Sequence, residues 1–151
     1  MSELKDRLKN DLTTAIKARD KVRTGTLRMV LAAISTEEAA GSAQRALGDD
    51  EVVKLLTREA KKRREAAEAF DKGGRPEQAE AERAESEIIS DYLPEQLTDE
   101  ELSALVAAAV EETGAQTPRD MGKVMKVVNP KIAGRAEGSR VAAEVKRRLA
   151  G

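Results

Sequence analysis

Apolar residues recur at every third or fourth position along almost the whole chain, and this spacing is typical of one buried face of an α-helix. Alanine, glutamate, lysine, arginine and leucine dominate the composition, and all five favour helix. We count seven such segments, and no part of the chain requires a strand. Residues that can cap or open the segments are Ser2, Asp20, Asp49, Pro76, Thr98, Thr117 and Ser139. The pattern therefore predicts an all-α protein.

The first two segments have clear predicted buried faces. The first helix is expected to bury a stripe formed by Leu4, Leu8, Leu12, Ala15 and Ile16. The second helix is expected to bury Val22, Leu27, Val30, Leu31 and Ile34. Both stripes follow the helical period, so we expect the two helices to share one core.

Glycine and proline mark where the later helices are expected to end. Gly73–Gly74 ends the third predicted helix, Leu93–Pro94 the fourth, Gly114 the fifth and Asn129–Pro130 the sixth. Proline cannot donate a helical hydrogen bond and disfavours the α conformation in the residue before it. Glycine adopts the left-handed conformation that commonly ends a helix.

A domain boundary is predicted where the fourth helix ends. Pro94 breaks the chain there, and Thr98 begins a new helix with Glu101 three residues later, which is the spacing of a capping box. We therefore expect an N-terminal four-helix domain over residues 1–94 and a C-terminal three-helix bundle over residues 95–151.

The composition excludes most familiar catalytic sites. The chain has no cysteine and no histidine, so thiol nucleophiles, imidazole acid–base chemistry and Cys/His zinc sites are absent. The acidic groups at Asp49–Glu51 and Asp99–Glu101 are interpreted as helix starts, because negative charge complements the helix dipole there. No phosphate loop or dinucleotide motif is present. We expect no catalytic residue, no metal site and no cofactor.

Charge and hydropathy point to a cytoplasmic protein. The chain carries 27 lysine and arginine residues against 28 acidic ones, a net charge of −1. Its first residues mix both signs without an apolar stretch, so we expect no secretory signal. No segment approaches the length of a membrane span, and no membrane partner is expected.

The C-terminal third separates its charges by region. Residues 95–118 contain six acidic residues and no basic one, whereas residues 119–151 contain nine basic and three acidic residues. Arg119, Lys123 and Lys126 follow helical spacing, which groups them on one face of the predicted sixth helix. The opposite face carries Met121, Val124, Met125 and Val128. Either a phosphate-binding surface or an ordinary solvated helix face explains this pattern.

A second basic run, Lys61–Arg64, gives less information. Four consecutive helical residues spread around most of the helix, and Lys61 has an acidic neighbour, Glu65, at the fourth position along. We interpret this run as a solvated helix face.

Short motifs along almost the whole chain resemble those of the GatB/YqeY family, and specifically of its short stand-alone YqeY-like members. The matching stretches are TLRM (26–29) with LAAI (31–34), KKRREA (61–66), GR (74–75), YLPEQL (92–97), DMGKVM (120–125) and GRAEG (134–138). Glu137 stands where the family often has aspartate. The resemblance implies an all-helical protein with an N-terminal helical domain and a C-terminal three-helix domain.

The resemblance also implies a role in translation. The same module forms the tail of the B subunit of the glutamine-dependent tRNA amidotransferase, where it resembles a tRNA-recognition element. The carbon–nitrogen ligase activity of that complex, with glutamine as amido donor, resides in other domains and subunits. The resemblance therefore implies a non-catalytic, tRNA-binding accessory module, whose partners are tRNA or structured RNA and an aminoacyl-tRNA synthetase or amidotransferase.

The candidate RNA-binding residues combine the family motifs with the basic stretch. They are Arg119, Gly122, Lys123, Lys126, Lys131, Gly134, Arg135, Gly138 and Arg140. Because aromatic residues are nearly absent, we expect contact through phosphates and backbone shape, without stacking on bases. A helical protein–protein adaptor without RNA binding is the alternative. An independent amidotransferase is disfavoured, because the chain has neither a nucleophile nor an ATP site of its own, and any amidotransferase role would be as part of a complex.

Overall fold

The computed structural model describes residues 2–150. This range contains seven α-helices and one 3₁₀ turn, without a strand, so the all-α prediction is confirmed. The helices are α1 (Glu3–Lys17), α2 (Lys21–Glu38), α3 (Asp49–Lys72), α4 (Pro76–Ser90), α5 (Asp99–Thr113), α6 (Met121–Ile132) and α7 (Gly138–Ala150). The 3₁₀ turn spans Pro118–Asp120. The chain divides into two compact units, Met1–Leu93 and Pro94–Gly151.

The N-terminal unit is built around the pairing of α3 with α4. Gly74 has a φ of +71°, a left-handed conformation that suits glycine and lets the chain reverse between the two helices. Helices α1 and α2 pack on this pair and complete one apolar core. Its buried members include Leu8, Leu27, Val30, Ile34, Val52, Leu55, Leu56, Ile89 and Tyr92.

A buried carboxylate holds the long connection between α2 and α3. Glu38 is only 7% exposed, and its two oxygens accept hydrogen bonds from Lys5 Nζ at 2.7 Å and from the backbone N–H of Leu47 at 3.0 Å. Leu47 is thereby drawn into the core, where it is 2% exposed. The predicted buried faces of the helical segments did not include Leu47.

The C-terminal unit packs α5, α6 and α7 around a second apolar core. Its buried members include Leu97, Leu102, Val106, Val124, Val128, Ile132, Val141, Val145 and Leu149. The predicted capping box of α5 is confirmed, because Thr98 Oγ1 accepts the Glu101 N–H and Glu101 Oε1 accepts the Thr98 N–H, each at 3.1 Å. The Leu97 N–H donates to the Arg135 carbonyl at 2.7 Å, which ties the start of this unit to the α6–α7 connector.

Two predicted helix ends were wrong. Helix α4 ends at Ser90, because Tyr92 and Leu93 form tighter bonds to carbonyls three residues back and Tyr92 enters the core. Helix α6 continues past Pro130 to Ile132, which is 4% exposed. Proline removes a single hydrogen bond near the helix end, and burial of Ile132 offsets that loss.

Two predicted helix starts also differ. Thr117 and Pro118 open the 3₁₀ turn, and α6 itself begins at Met121. Helix α7 begins at Gly138, so Ser139 lies inside its first turn and is not its N-cap. Arg119 therefore lies in the 3₁₀ turn and not in α6, and Gly138 is the first residue of α7.

Two residues that were expected inside the core lie outside it. Ile16 is 46% exposed and Val22 is 53% exposed. Ile16 lies in the last turn of α1, after Ala15, the last buried residue of that helix. Val22 lies in the first turn of α2, before Thr26, the first buried residue of that helix. The prediction of burial was therefore wrong for Ile16 and Val22, because both helices extend beyond the core that they share.

The interpretation of Lys61–Arg64 as a solvated face was wrong for one residue. The Arg63 side chain is 15% exposed and lies between Glu59 and Glu85, with N···O distances of 3.8 and 3.5 Å. It also donates to Met29 Sδ of α2. Arg63 is therefore a packing residue between helices, whereas Lys62 is 71% exposed.

Candidate nucleic-acid interface

Helix α6 presents an apolar face to the core and a basic face to solvent. Val124 and Val128 are fully buried, and Lys123 and Lys126 are exposed. The predicted helical register holds for these two lysines. Arg119 is also exposed, but it lies in the 3₁₀ turn before the helix, so the α-helical spacing that grouped it with them does not apply.

Within residues 2–150, Arg119 and Lys126 have no carboxylate partner. Lys123 is weakly held, since its Nζ lies 3.9 Å from Asp120 Oδ1. The Asp120 carboxylate is already engaged by the backbone N–H groups of Gln116 and Thr117, and the first of these bonds is the main reason why the pKa of Asp120 lies below its usual value. The three cations are thus available to an external anion.

The remaining basic candidates face the acidic helix α5. Arg140 Nη2 lies 2.8 Å from Asp99 Oδ1, Arg135 Nη2 3.8 Å from Glu101 Oε2, and Lys131 Nζ 3.4 Å from Glu112 Oε2. The sequence shows an acidic stretch followed by a basic stretch, but its pattern did not predict that the two stretches form ion pairs in the folded protein. In the folded protein, the acidic residues of α5 therefore neutralise part of the basic stretch.

These pairs differ in how firmly each cation is held. The pKa of the Glu101 carboxyl is lowered chiefly by the backbone N–H of Thr98, and Arg135 is the smallest contributor. Arg135 Nε also donates to the Glu95 carbonyl at 3.4 Å. Arg135 is thus placed by several weak contacts, whereas Arg140 has one short contact.

Helix α7 adds basic residues that were not among the candidates. Arg147 and Arg148 both approach Glu144, at 2.5 and 3.5 Å, and the first of these contacts lowers the pKa of Glu144. Lys146 is exposed and has no carboxylate partner in residues 2–150. Membership of the basic stretch was the signal that could have identified Lys146, which lies outside the family motifs.

The three candidate glycines fall into two groups. At Gly122 and Gly138 an added Cβ would meet no atom within 4 Å, so both backbones face open space. Gly134 has a φ of +81° and follows Ala133, whose φ is +45°. Glycine at 134 is explained by the turn that ends α6, whereas packing within the protein does not account for Gly122 or Gly138.

A separate groove of about 600 Å³ lies between α2 and α3 in the N-terminal unit. Ala33, Ala40 and Leu55 contribute its apolar lining, and charged residues of both signs surround it. Arg58 in this rim pairs with Glu37 at 2.7 Å. The rim therefore carries little net attraction for a charged ligand.

Within residues 2–150, none of the helices combines the length and the apolar composition that a membrane-spanning helix needs. In the same range, acidic side chains nowhere come together in threes as ligands for a metal ion.

Comparison with known proteins gives two results. A family model described as "Yqey-like protein" matches residues 5–149. The chain is also 32% identical over 130 residues to "Altered inheritance of mitochondria protein 41, mitochondrial" of Clavispora lusitaniae. That alignment covers 83% of this chain and 74% of the yeast protein.

Proposed function

Because the chain belongs to the YqeY-like family, we propose that it is a non-catalytic accessory protein that binds tRNA or other structured RNA through phosphate contacts. The similarity of this family to the tail of the tRNA amidotransferase B subunit supports RNA as the ligand. It also favours an aminoacyl-tRNA synthetase or amidotransferase as protein partner. Any ligase chemistry would then belong to that partner.

The observation that carries the proposal is the basic surface formed by Arg119, Lys123 and Lys126. All three are exposed, and none is held by a close carboxylate among the described residues. Lys123 and Lys126 sit opposite the buried face of α6, and Arg119 lies in the 3₁₀ turn before it, so all three can contact phosphates without disturbing the core. Lysine and arginine bind phosphate as a point charge and as a planar fork, respectively.

We assign a secondary role to Lys131, Arg135 and Arg140. Each would have to leave a carboxylate of α5 before it could contact a phosphate. The acidic partners are exposed, so solvent screens these pairs and little energy opposes the exchange. Helix α5 would thus weaken RNA binding and favour RNA whose phosphates match the spacing of these cations.

The mode of recognition follows from the scarcity of aromatic residues. Phe70 and Tyr92 are the only two, and neither is exposed. Stacking on unpaired bases needs exposed rings. The proposed contact is therefore with the RNA backbone, and its affinity should depend strongly on salt.

The proposal also includes a domain division and a cellular location. Residues 1–94 and 95–151 act as separate four-helix and three-helix domains, and the C-terminal one carries the RNA surface. The protein works in the cytoplasm, whereas the yeast relative is named as a mitochondrial protein.

Titration of fluorescently labelled, unfractionated tRNA with the full chain at several salt concentrations tests the proposal. We expect affinity to fall linearly on a plot of log affinity against log salt, by somewhat under one unit of slope for each phosphate contacted. Absence of salt-dependent binding would contradict it.

The groove between α2 and α3 favours the second candidate, a protein–protein adaptor. Its apolar lining could receive a side chain of a partner. Replacement Ala33→Arg would fill the groove and should abolish capture of a synthetase or amidotransferase if the adaptor function holds. Unchanged capture would exclude the groove as the contact.

A further inference from the structure

The corner between α1 and α2 carries a second concentration of positive charge. Residues 16–23 include four basic residues and one acidic residue, a net charge of +3. Lys17 ends α1, Arg19 lies in the corner and Lys21 begins α2. All three are exposed, and none has a carboxylate partner within residues 2–150. The corner thus differs from the C-terminal basic stretch, much of which is paired with α5.

The backbone at Arg19 has a conformation that usually selects glycine. Its φ is +57°, and the Arg19 and Asp20 N–H groups bond to the carbonyls of Ile16 and Ala15 at 3.1 and 3.0 Å. This arrangement ends a helix with a left-handed residue, where a side chain is sterically costly. No ion pair of the Arg19 guanidinium within the described residues offsets that cost.

The one acidic residue of the corner is occupied. Asp20 Oδ1 accepts the Arg23 N–H at 3.0 Å as the N-cap of α2, and Oδ2 lies 3.9 Å from Arg23 Nε. Asp20 therefore neutralises part of the Arg23 charge and leaves Lys17, Arg19 and Lys21 uncompensated.

Several arginines of the same unit are compensated by a carboxylate. Arg45 contacts Glu51 at 2.6 Å, Arg58 contacts Glu37 at 2.7 Å, and Arg83 pairs with Asp71. Among the described residues of this unit, the corner alone gathers three exposed cations without a carboxylate partner within five positions. Others without such a partner are Lys9, Arg28, Lys54, Lys72 and Arg75.

We propose that Lys17, Arg19 and Lys21 form a second phosphate-binding surface for RNA, located in the N-terminal unit. This inference rests on the proposed RNA function and extends it to residues outside the family motifs identified above. Arginine suits phosphate because its planar fork makes two parallel hydrogen bonds. The surface would contribute affinity without reading base sequence.

A lipid surface or a protein partner would need more exposed apolar area than this corner offers. Ile16 and Val22 are each about half exposed. Two half-exposed aliphatic side chains give little area for insertion into a lipid surface. They also lack the buried aromatic anchors that are typical of a strong protein–protein contact. RNA phosphates need neither.

Salt titrations with unfractionated tRNA and the full chain test the inference. The corner variant combines Lys17→Gln, Arg19→Gln and Lys21→Gln. The matched control combines Arg45→Gln, Arg58→Gln and Arg83→Gln, which removes the same charge from compensated positions. The corner variant should lower the salt slope by about two to three units, and the control by less than one.

Single variants at Arg19 separate folding from binding. Arg19→Lys keeps the charge and should keep the slope. Arg19→Gly removes the charge and relaxes the backbone, so it should weaken tRNA binding while the melting temperature stays the same or rises.

The outcomes also separate this inference from the proposed function. If the native chain binds tRNA and the corner variant behaves like its control, the inference is overturned and the proposed function stands. If the native chain shows no salt-dependent binding, the proposed function itself fails. Loss of binding to vesicles of phosphatidylcholine and phosphatidylserine in equal parts, with an unchanged tRNA slope, would overturn the inference in favour of a membrane surface.

Discussion

Arg140 of α7 and Asp99 at the start of α5 form an ion pair across the C-terminal unit, with 2.8 Å between Nη2 and Oδ1. The Asp99 side chain is 92% exposed, whereas that of Arg140 is 33% exposed. Exposed pairs of this kind contribute about 0 to 1 kcal/mol, because water and salt screen them. The pair therefore restrains Arg140 more than it stabilises the fold.

Replacement Asp99→Asn should strengthen RNA binding. It removes the carboxylate that competes with phosphate for Arg140, so we expect a gain in tRNA affinity of about two- to fivefold, equivalent to the energy of one exposed pair. Fluorescence titration at fixed salt measures the change.

Glu100→Gln is the matched control for Asp99→Asn. Glu100 is an exposed acidic neighbour on the same helix turn, so its neutralisation changes the overall charge equally. A smaller gain than that of Asp99→Asn is expected. Equal gains would show that only the general electrostatic field matters and that Arg140 does not contact RNA.

The sequence predicted the number and class of the helices well, because periodicity and caps are local. Helix α3 begins at Asp49 and ends at Lys72, and both bounds follow from the acidic start and the glycine pair. The end of α6 was wrong, because burial of Ile132 is a tertiary effect that outweighs the local effect of Pro130. The exposure of Ile16 and Val22 could not be predicted, since it depends on where the neighbouring helices stop.

The candidate site was predictable as a list of residues but not as an electrostatic surface. Pairing of Lys131, Arg135 and Arg140 with α5 depends on how α5, α6 and α7 pack. No sequence pattern gives that register. The same holds for Arg63, whose two acidic partners lie on α3 and α4.

Tyr92 should make the fold sensitive to alkaline pH. Its hydroxyl donates to the Asp11 carboxylate, and burial, together with this contact, raises its pKa from 10.0 to about 12. The folded state holds the proton more tightly than the unfolded state, so this stability is complete below pH 10.0 and is lost as the pH rises towards about 12.

Tyr92→Phe tests this pH dependence by denaturant unfolding at several pH values. The variant lacks the hydroxyl, so it should lose about 1 to 2 kcal/mol at neutral pH and show a smaller alkaline decline than the native chain. Identical declines in both proteins would show that other groups cause the alkaline loss.

The capping box of α5 should contribute measurable stability. Thr98→Ala leaves the Glu101 N–H without its partner and should reduce the free energy of unfolding by about 1 kcal/mol. Thr13→Ala, at an exposed position inside α1, is the control and should change it by a few tenths of a kcal/mol at most. Equal losses would mean that the effect is not one of capping.

Residues 95–151 should fold without the rest of the chain. Their helices share one core, in which Val106, Val124, Val128 and Val145 are fully buried. This length is near the lower limit for a domain without disulfides or metals. Thermal unfolding of the isolated segment, followed by circular dichroism, should be cooperative, and a gradual, non-cooperative loss of helix would contradict the domain division.

The central claim is that Arg119, Lys123 and Lys126 bind RNA phosphates, and the salt slope of a triple alanine variant tests it most directly. These side chains lie outside the core, so the variant should keep the native melting temperature. Its slope of log tRNA affinity against log salt should be lower than that of the native chain by about two to three units. An equal loss in the control Arg45→Gln, Arg58→Gln, Arg83→Gln variant, or an unchanged slope in the triple variant, would contradict the claim.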